Sequence, residues 1–170
     1  LIDSIVEFCD MEYKNEECIQ CNSKIACDEN CDGCKQFLDD IHYHHNKFRD
    51  FYDCEKLLDY YVCRYSYKYC SEMIYALSER DLSDYPYFHI LSLGCGAAPD
   101  LMAFEYMEYE QKISYCGLDL NPYWEKIHNF IEREYIEGKA RFHRNIDVLS
   151  YFEDYILEKC NVIIIQYLIS

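Results

Sequence analysis

The chain has 170 residues, and its 32 acidic residues outnumber its 16 lysines and arginines to give a formal charge of −16. Hydrophobic residues make up 51% of it and aromatic residues 17%, which excludes a disordered chain because such chains lack the apolar mass to form a core. An acidic surface repels a phosphate backbone, so broad electrostatic binding to nucleic acid is disfavoured. No apolar run approaches the roughly 20 residues of a membrane helix and no signal peptide is visible, so we expect a cytoplasmic protein without a membrane partner.

The cysteines help to divide the chain into three sections. Five of the 12 cysteines fall between Cys18 and Cys34 and mark an acidic, Cys-rich section over residues 1–35. Residues 36–85 form a helical section, and residues 86–170 form a section in which strands and helices alternate. The cysteines outside the cluster stand alone in apolar patterns, where we expect them to be small buried side chains in a reducing compartment.

Two C-x2-C pairs lie in the first section: Cys18 with Cys21, and Cys31 with Cys34, separated by nine residues. Each pair can chelate an ion with two thiolates, and two pairs form the tetrahedral site that is typical of structural zinc. Cys27 is a fifth candidate that could replace Cys18 or Cys21. Three histidines are further candidates: His42, His44 and His45.

The cysteine cluster allows two other interpretations. The spacing Cys27-x3-Cys31-x2-Cys34 is that of radical enzymes in which three cysteines hold a 4Fe–4S cluster. Those enzymes need a large barrel after the motif, whereas a helical section follows here. The cysteines could also be free or joined in disulfides. Zinc is the favoured assignment.

Apolar residues recur at steps of three and four in the second section, which predicts amphipathic helices. The longer stripe comprises Leu58, Tyr61, Val62, Tyr65, Tyr69, Met73, Ala76 and Leu77. A shorter one comprises Phe37, Leu38, Ile41, His45 and Phe48. The segment 83–86, Ser-Asp-Tyr-Pro, has the composition of a turn and marks the boundary to the third section.

Short apolar segments alternate with helical patterns in the third section. We expect strands at 87–93, 113–118, 140–143 and 162–167, and helices at 99–110, 122–138 and 150–159. Gly138 is expected as the C-cap of the second of these helices. The alternation is typical of βαβ units, so it predicts a parallel sheet covered on both faces.

The turn after the first of these strands reads Leu-Gly-Cys-Gly-Ala-Ala-Pro, with Gly94 and Gly96 at its centre. Glycine allows the backbone to turn sharply and to approach a ligand closely, and the free N–H groups of the following helix point to the same place. Asp119 ends the second strand, where a carboxylate can accept both hydroxyls of a ribose. The pattern therefore predicts a nucleoside-cofactor site at the carboxyl edge of the sheet.

Residues 88–170 resemble the first half of a class I S-adenosylmethionine-dependent methyltransferase. Segment 90–98 resembles the family's glycine motif, 117–121 its ribose motif, 145–148 its adenine motif and 161–167 its fourth strand. The resemblance implies an α/β fold with an incomplete Rossmann-like parallel sheet of about four strands, preceded by the helical Cys-rich section. It implies S-adenosylmethionine as a cofactor, held by Gly94, Gly96, Ala98, Asp119, Leu120, Asp147 and Val148. It assigns the acceptor side of the site to Gln166 and Tyr167.

The sequence departs from the family's pattern at three points. Ser92 stands where the family has an acidic residue that helps to hold the methionine amine, and Ala98 replaces the third glycine of the motif. Gln166-Tyr167 differs from the Asp/Asn-Pro-Pro-Tyr signature of enzymes that methylate amino groups of bases, so the acceptor stays open among RNA, protein and small molecules. A nicotinamide dehydrogenase is the main competitor, but its fingerprint requires a third glycine where Pro99-Asp100 stands.

Two functional hypotheses follow. The first is a methyltransferase whose zinc-bound helical section shapes substrate access. The second is a non-catalytic interaction module or partner subunit, in which a zinc domain is joined to a degenerate cofactor fold. In the family's usual strand order, 3-2-1-4, the fourth strand lies at an apolar edge, so we expect further chain or a protein partner to cover it.

Overall fold

A computed structural model of the chain describes residues 1–15, 34, 38, 54–147 and 160–166. Helix α1 spans Ile2–Asn15, and helix α2 spans Glu55–Ser78. They are followed by strand β1 (Tyr87–Leu93), helix α3 (Pro99–Tyr106), strand β2 (Lys112–Asp119), a 3-10 helix (Pro122–Trp124), helix α4 (Glu125–Glu134), and strands β3 (Lys139–Arg144) and β4 (Val162–Ile165). Within these described ranges, no helix is both long enough and apolar enough to cross a membrane.

The four strands form one parallel sheet in the order β3-β2-β1-β4. Strand β1 lies in the interior of the sheet, where Ile90 pairs with Tyr115 of β2 and Leu93 pairs with Ile165 of β4. The α/β class and the parallel sheet predicted from the sequence are confirmed, and the strand order is the one that the resemblance implies. Because the strands are parallel, their carboxyl ends meet at one edge, and the turn after β1 becomes a neighbour of the tip of β2.

One face of the sheet is covered by helices α1 to α4. A single buried core joins these helices to the strands, and its members include Ile5, Leu58, Phe88, Leu101, Tyr115 and Ile131. The opposite face buries Leu91, Leu93 and Leu118 in a second cluster. The helix expected over 150–159 lies outside the described residues.

Helix α1 is part of this core and was not predicted above, although Ile2, Ile5, Val6 and Cys9 recur at helical spacing. Ile5 and Cys9 are fully buried, and Phe8 stacks on Phe130 of α4 with 4.2 Å between the ring centroids. An isolated helix of this length is marginal in water. Packing against α2 and α4 therefore stabilises α1. Residues 1–15 are part of the group of helices that covers one face of the sheet.

Helices α3 and α4 are both shorter than predicted. Helix α3 ends at Tyr106 rather than at residue 110, and Glu108 adopts a left-handed φ of 49° that the helix cannot contain. Helix α4 ends at Glu134, so the prediction that Gly138 is its C-cap is wrong. A Cβ at Gly138 would lie 2.4 Å from the carbonyl oxygen of Ile113, which shows that this glycine permits a close approach to the start of β2.

The isolated cysteines are divided between the core and its margin. Cys9, Cys54, Cys70 and Cys95 are buried as expected. Cys63, Cys116 and Cys160 are only half-buried, at the edges of the two clusters.

Candidate functional site

We call the turn from Gly94 to Ala98 the glycine loop. Gly94 and Gly96 adopt φ values of 66° and 49°, a left-handed conformation that glycine tolerates without a steric penalty. Ala98 has the same conformation with φ of 55°, so the residue in place of the third glycine carries some backbone strain. The N–H groups of Gly94 and Cys95 both donate to the carbonyl of Leu118, at 2.8 and 3.0 Å, which ties the loop to the end of β2.

Asp119 ends β2 and faces the glycine loop. Its Oδ2 accepts the N–H of Gly96 at 2.8 Å, and its Oδ1 accepts the N–H of Asn121 at 2.8 Å. Asp119 is 8% exposed, and this burial raises the pKa of its carboxyl while the two hydrogen bonds oppose the shift. The two features that the sequence singles out are thus in direct hydrogen-bond contact.

Gly117 allows the glycine loop to pack closely against β2. A Cβ at this position would lie 2.7 Å from Sγ of Cys95 and 2.8 Å from the ring of Phe142. A larger residue would therefore displace the loop or the aromatic ring. The sequence identifies Gly117 only as part of a motif, because Phe142 comes from another strand.

Trp124 closes the other side of the loop. It follows Asn121, whose Oδ1 accepts the N–H of Tyr123 at 2.9 Å and so starts the 3-10 helix. Trp124 is 4% exposed, and its ring lies 3.5 Å from the position that a Cβ on Gly96 would occupy. Tyr61 of α2 meets the edge of the same ring, with the centroids 5.9 Å apart. Sequence reasoning missed Trp124, whose place beside the loop depends on the turn after β2.

His128 of α4 is buried directly behind the loop. Its Nε2 lies 2.7 Å from the carbonyl oxygen of Gly96 and 3.9 Å from Sγ of Cys95. The imidazole stacks on Phe142 with 4.1 Å between the centroids. Burial lowers the pKa of His128 to about 4, so the ring is neutral at physiological pH. No local pattern marks this histidine, since α4 supplies it from 32 residues away.

Asp100, in the first turn of α3, is a fully buried carboxyl below the loop. Its Oδ1 accepts the hydroxyl of Tyr115 at 2.9 Å, and the hydroxyl of Ser92 is a further hydrogen-bond partner. Burial raises the pKa of Asp100, and these hydrogen bonds oppose the shift. A carboxyl group therefore reaches Ser92 from α3, although β1 itself carries none there.

The other residues expected to bind the cofactor, Leu120, Asp147 and Val148, follow the ends of β2 and β3. Leu120 is 63% exposed, and Asp147 is also exposed. The carbonyl of Asp119 accepts the N–H of Ile146 at 3.2 Å, which brings the end of β3 beside the tip of β2. Val148 lies outside the described residues.

The residues expected on the acceptor side, Gln166 and Tyr167, follow β4. Gln166 is half-buried, and its Nε2 donates to the backbone carbonyl of Tyr69 on α2 at 3.1 Å. Its Oε1 is buried and has no hydrogen-bond partner within the part of the chain that the structure describes. Tyr167 lies outside that part. Helix α2 therefore contacts the site at two points, through Tyr61 at Trp124 and through Tyr69 at Gln166.

The cysteine cluster lies mostly outside the described residues. This holds for Cys18, Cys21, Cys27 and Cys31 and for His42, His44 and His45. Cys34 is described and is buried in a cluster with Cys54, Leu57 and Tyr69. Residues 1–15, 54–147 and 160–166, with the two isolated positions, contain no group of three side chains placed to hold a metal ion.

Comparisons with known proteins identified no relative of this chain. No protein-family model, curated protein or solved structure matches the chain.

Proposed function

We propose that the chain binds S-adenosylmethionine at the carboxyl edge of its sheet and belongs to the methyltransferases. The observation that carries the proposal is the 2.8 Å hydrogen bond between Gly96 of the glycine loop and Asp119 at the tip of β2. A parallel sheet with these two features on adjacent strands has the geometry of a nucleoside-cofactor site.

The residues at this edge suit the polar groups of the cofactor. A carboxylate offers about four lone-pair positions, so two backbone N–H groups leave Asp119 able to accept ribose hydroxyls. Gly94 and Gly96 give the loop its left-handed turns, which let the backbone N–H groups of the loop approach a ligand. Leu120 is exposed beside Asp119 and offers an apolar surface for the adenine. In the proposal, the carboxylate of Asp147 and the backbone of Val148 meet the polar edge of the adenine.

Bound S-adenosylmethionine would supply an electrophilic methyl group on its sulfonium. The task of the protein is then to orient an acceptor and to exclude water. Gln166 and Tyr167 are the proposed acceptor-side residues, and α2 lies beside Gln166. We assign no general base, and the acceptor class remains open among RNA, protein and small molecules.

A non-catalytic interaction module is the second candidate. The observation in its favour is that both oxygens of Asp119 already accept backbone N–H groups in a side chain that is only 8% exposed. A degenerate fold could retain these bonds for stability alone. Ser92, in place of the family's acidic residue, points in the same direction.

Calorimetry with S-adenosylhomocysteine on the full chain separates the two candidates. We expect binding, and we expect Asp119→Ala to weaken it by about ten-fold or more because the ribose loses its acceptor. Asp84→Ala, which removes an exposed carboxylate from the turn before β1, is the matched control and should bind like the wild type. Absence of binding by the wild type, or full affinity in a folded Asp119→Ala variant, would favour the interaction module.

We further propose that the two C-x2-C pairs hold a structural zinc ion. The support is the spacing of Cys18, Cys21, Cys31 and Cys34, whose thiolates form the donor set that zinc prefers. Such an ion would cross-link the segment between α1 and α2.

A further inference from the structure

Side chains from two different elements form hydrogen bonds with the N–H and the carbonyl of Gly96. Its N–H donates to Asp119 of β2 at 2.8 Å, and its carbonyl oxygen lies 2.7 Å from Nε2 of His128 on α4. These two bonds come from different elements, so they fix the orientation of both peptide planes. Gly96 adopts a left-handed φ of 49° and has no side chain of its own that could restrain this conformation.

The chemistry of the contact determines the state of His128. A carbonyl oxygen only accepts hydrogen bonds, so Nε2 must carry the hydrogen, and Nδ1 of the neutral ring is bare. Nδ1 is buried without a hydrogen-bond partner among the described residues. The lowered pKa, about 4, agrees with this single neutral tautomer. Stacking on Phe142 at 4.1 Å holds the ring plane in place.

We propose that His128 is a positioning residue that keeps the glycine loop in its ligand-binding conformation through the carbonyl of Gly96. The ligand in this statement, an S-adenosyl compound, rests on the proposed function, whereas the effect on the loop does not. Among the described residues, both hydrogen-bond contacts of the imidazole go to the loop, at Gly96 and Cys95, and, beyond burial, Arg144 adds an electrostatic interaction that helps to lower the pKa of His128. A side chain needed only to fill the core would not require a nitrogen at this point.

Two substitutions separate the hydrogen bond from the volume of the ring. His128→Gln retains an N–H donor that can reach Gly96, and His128→Phe retains an aromatic ring against Phe142 but has no donor. The same two substitutions at His89, which is half-buried in β1 away from the loop, are matched controls. Thermal unfolding of all four full-length variants shows the temperature range in which each is folded.

The state of the loop can be measured without any ligand. Trp124 is the one tryptophan of the sequence and lies against Gly96, so its fluorescence quenching by acrylamide reports on the loop. Amide hydrogen exchange at 94–98 reports on the bond from Gly96 to Asp119. We expect His128→Phe to increase both the quenching and the exchange, and His128→Gln and the His89 variants to leave them near wild type. Equal behaviour of His128→Phe and His128→Gln would overturn the proposal.

Titration with S-adenosylhomocysteine then connects the loop to binding. We expect His128→Phe to lose about ten-fold or more in affinity, and His128→Gln to stay within about three-fold of wild type. Affinity that follows thermal stability rather than the presence of the donor would contradict a positioning role. If the wild type binds no S-adenosylhomocysteine, the proposed function fails, and the fluorescence and exchange measurements alone decide the role of His128.

Discussion

Asp100, beside the candidate site, is a buried carboxyl group whose charged form destabilises the folded chain. Its carboxyl is 1% exposed, and Oδ2 has no hydrogen-bond partner among the described residues. Tyr115 and Ser92 stabilise the group from the other side. Since burial nonetheless raises its pKa, the folded chain holds the proton of Asp100 more tightly than the unfolded chain does.

This shift predicts a pH dependence that Asp100→Asn should remove. A raised pKa means that stability is greatest below the unfolded value of 3.8 and falls as the pH rises towards the folded value. The variant keeps an oxygen that can accept from Tyr115 but has no charge to bury. We expect its stability relative to wild type to increase between pH 4 and pH 7 in urea unfolding experiments.

The control for this measurement is Asp84→Asn, at an exposed position in the turn before β1. Its stability relative to wild type should change much less over the same pH interval. A difference between Asp100→Asn and wild type that is equal at both pH values would show that Asp100 contributes no such penalty.

At the scale of elements, one lysine joins three helices. Nζ of Lys126 on α4 lies 2.9 Å from Oδ2 of Asp59 on α2 and 3.4 Å from Oε2 of Glu12 on α1. Asp59 is fully buried, whereas the side chain of Glu12 is 33% exposed. The lysine thus links the two N-terminal helices to the helix that carries His128.

The difference in burial predicts unequal costs for breaking the two contacts. Lys126→Met leaves the buried carboxylate of Asp59 without its cation, and we expect a loss of about 3 kcal/mol in the free energy of unfolding. The double variant Lys126→Met/Asp59→Asn should recover much of this loss, because it no longer buries a charge. Glu12→Gln is the matched control and should cost about 0.5 kcal/mol or less.

Urea unfolding measures all three variants. A double variant no more stable than Lys126→Met would mean that the lysine acts through its aliphatic packing rather than through its charge. Equal losses in the free energy of unfolding for Lys126→Met and Glu12→Gln would show that the buried carboxylate of Asp59 contributes no more than the exposed one of Glu12.

At the scale of the whole molecule, the sheet formed by the described residues ends in an apolar edge strand. Ile163 and Ile165 of β4 are 47% and 51% exposed, while Ile164 between them is buried. The strand order of the family that the sequence resembles implied such an edge, with further chain or a protein partner to cover it. Half-exposed isoleucines on an edge strand favour association. A protein partner on this edge remains a proposal.

The zinc proposal also concerns the whole molecule, because the two cysteine pairs lie between α1 and α2. We expect elemental analysis of the full chain to find about one zinc ion per molecule, and Cys31→Ser to lose it together with thermal stability. Cys160→Ser, which alters a half-buried cysteine beside the second core cluster, is the control. Zinc content that survives in Cys31→Ser would refute the ligand set, and an iron–sulfur absorbance band would favour the radical-enzyme alternative.

The sequence by itself determined the α/β class, the positions of the strands and the place of the candidate site. Local periodicity located all four strands and α2, although several element ends differ by a few residues. The glycine loop and Asp119 could be placed together because parallel strands bring their carboxyl ends to one edge. These features depend on residue types close in the chain, which is why they can be read from it.

Tertiary structure alone decided what surrounds that site. The bond from His128 to Gly96 joins residues 32 apart, that from Lys126 to Asp59 joins residues 67 apart, and that from Gln166 to Tyr69 joins residues 97 apart. Helix α1 forms because α2 and α4 bury its apolar side chains, and Gly138 is needed because β2 passes close by. Each of these roles is set by a partner from another element, and local sequence does not identify that partner.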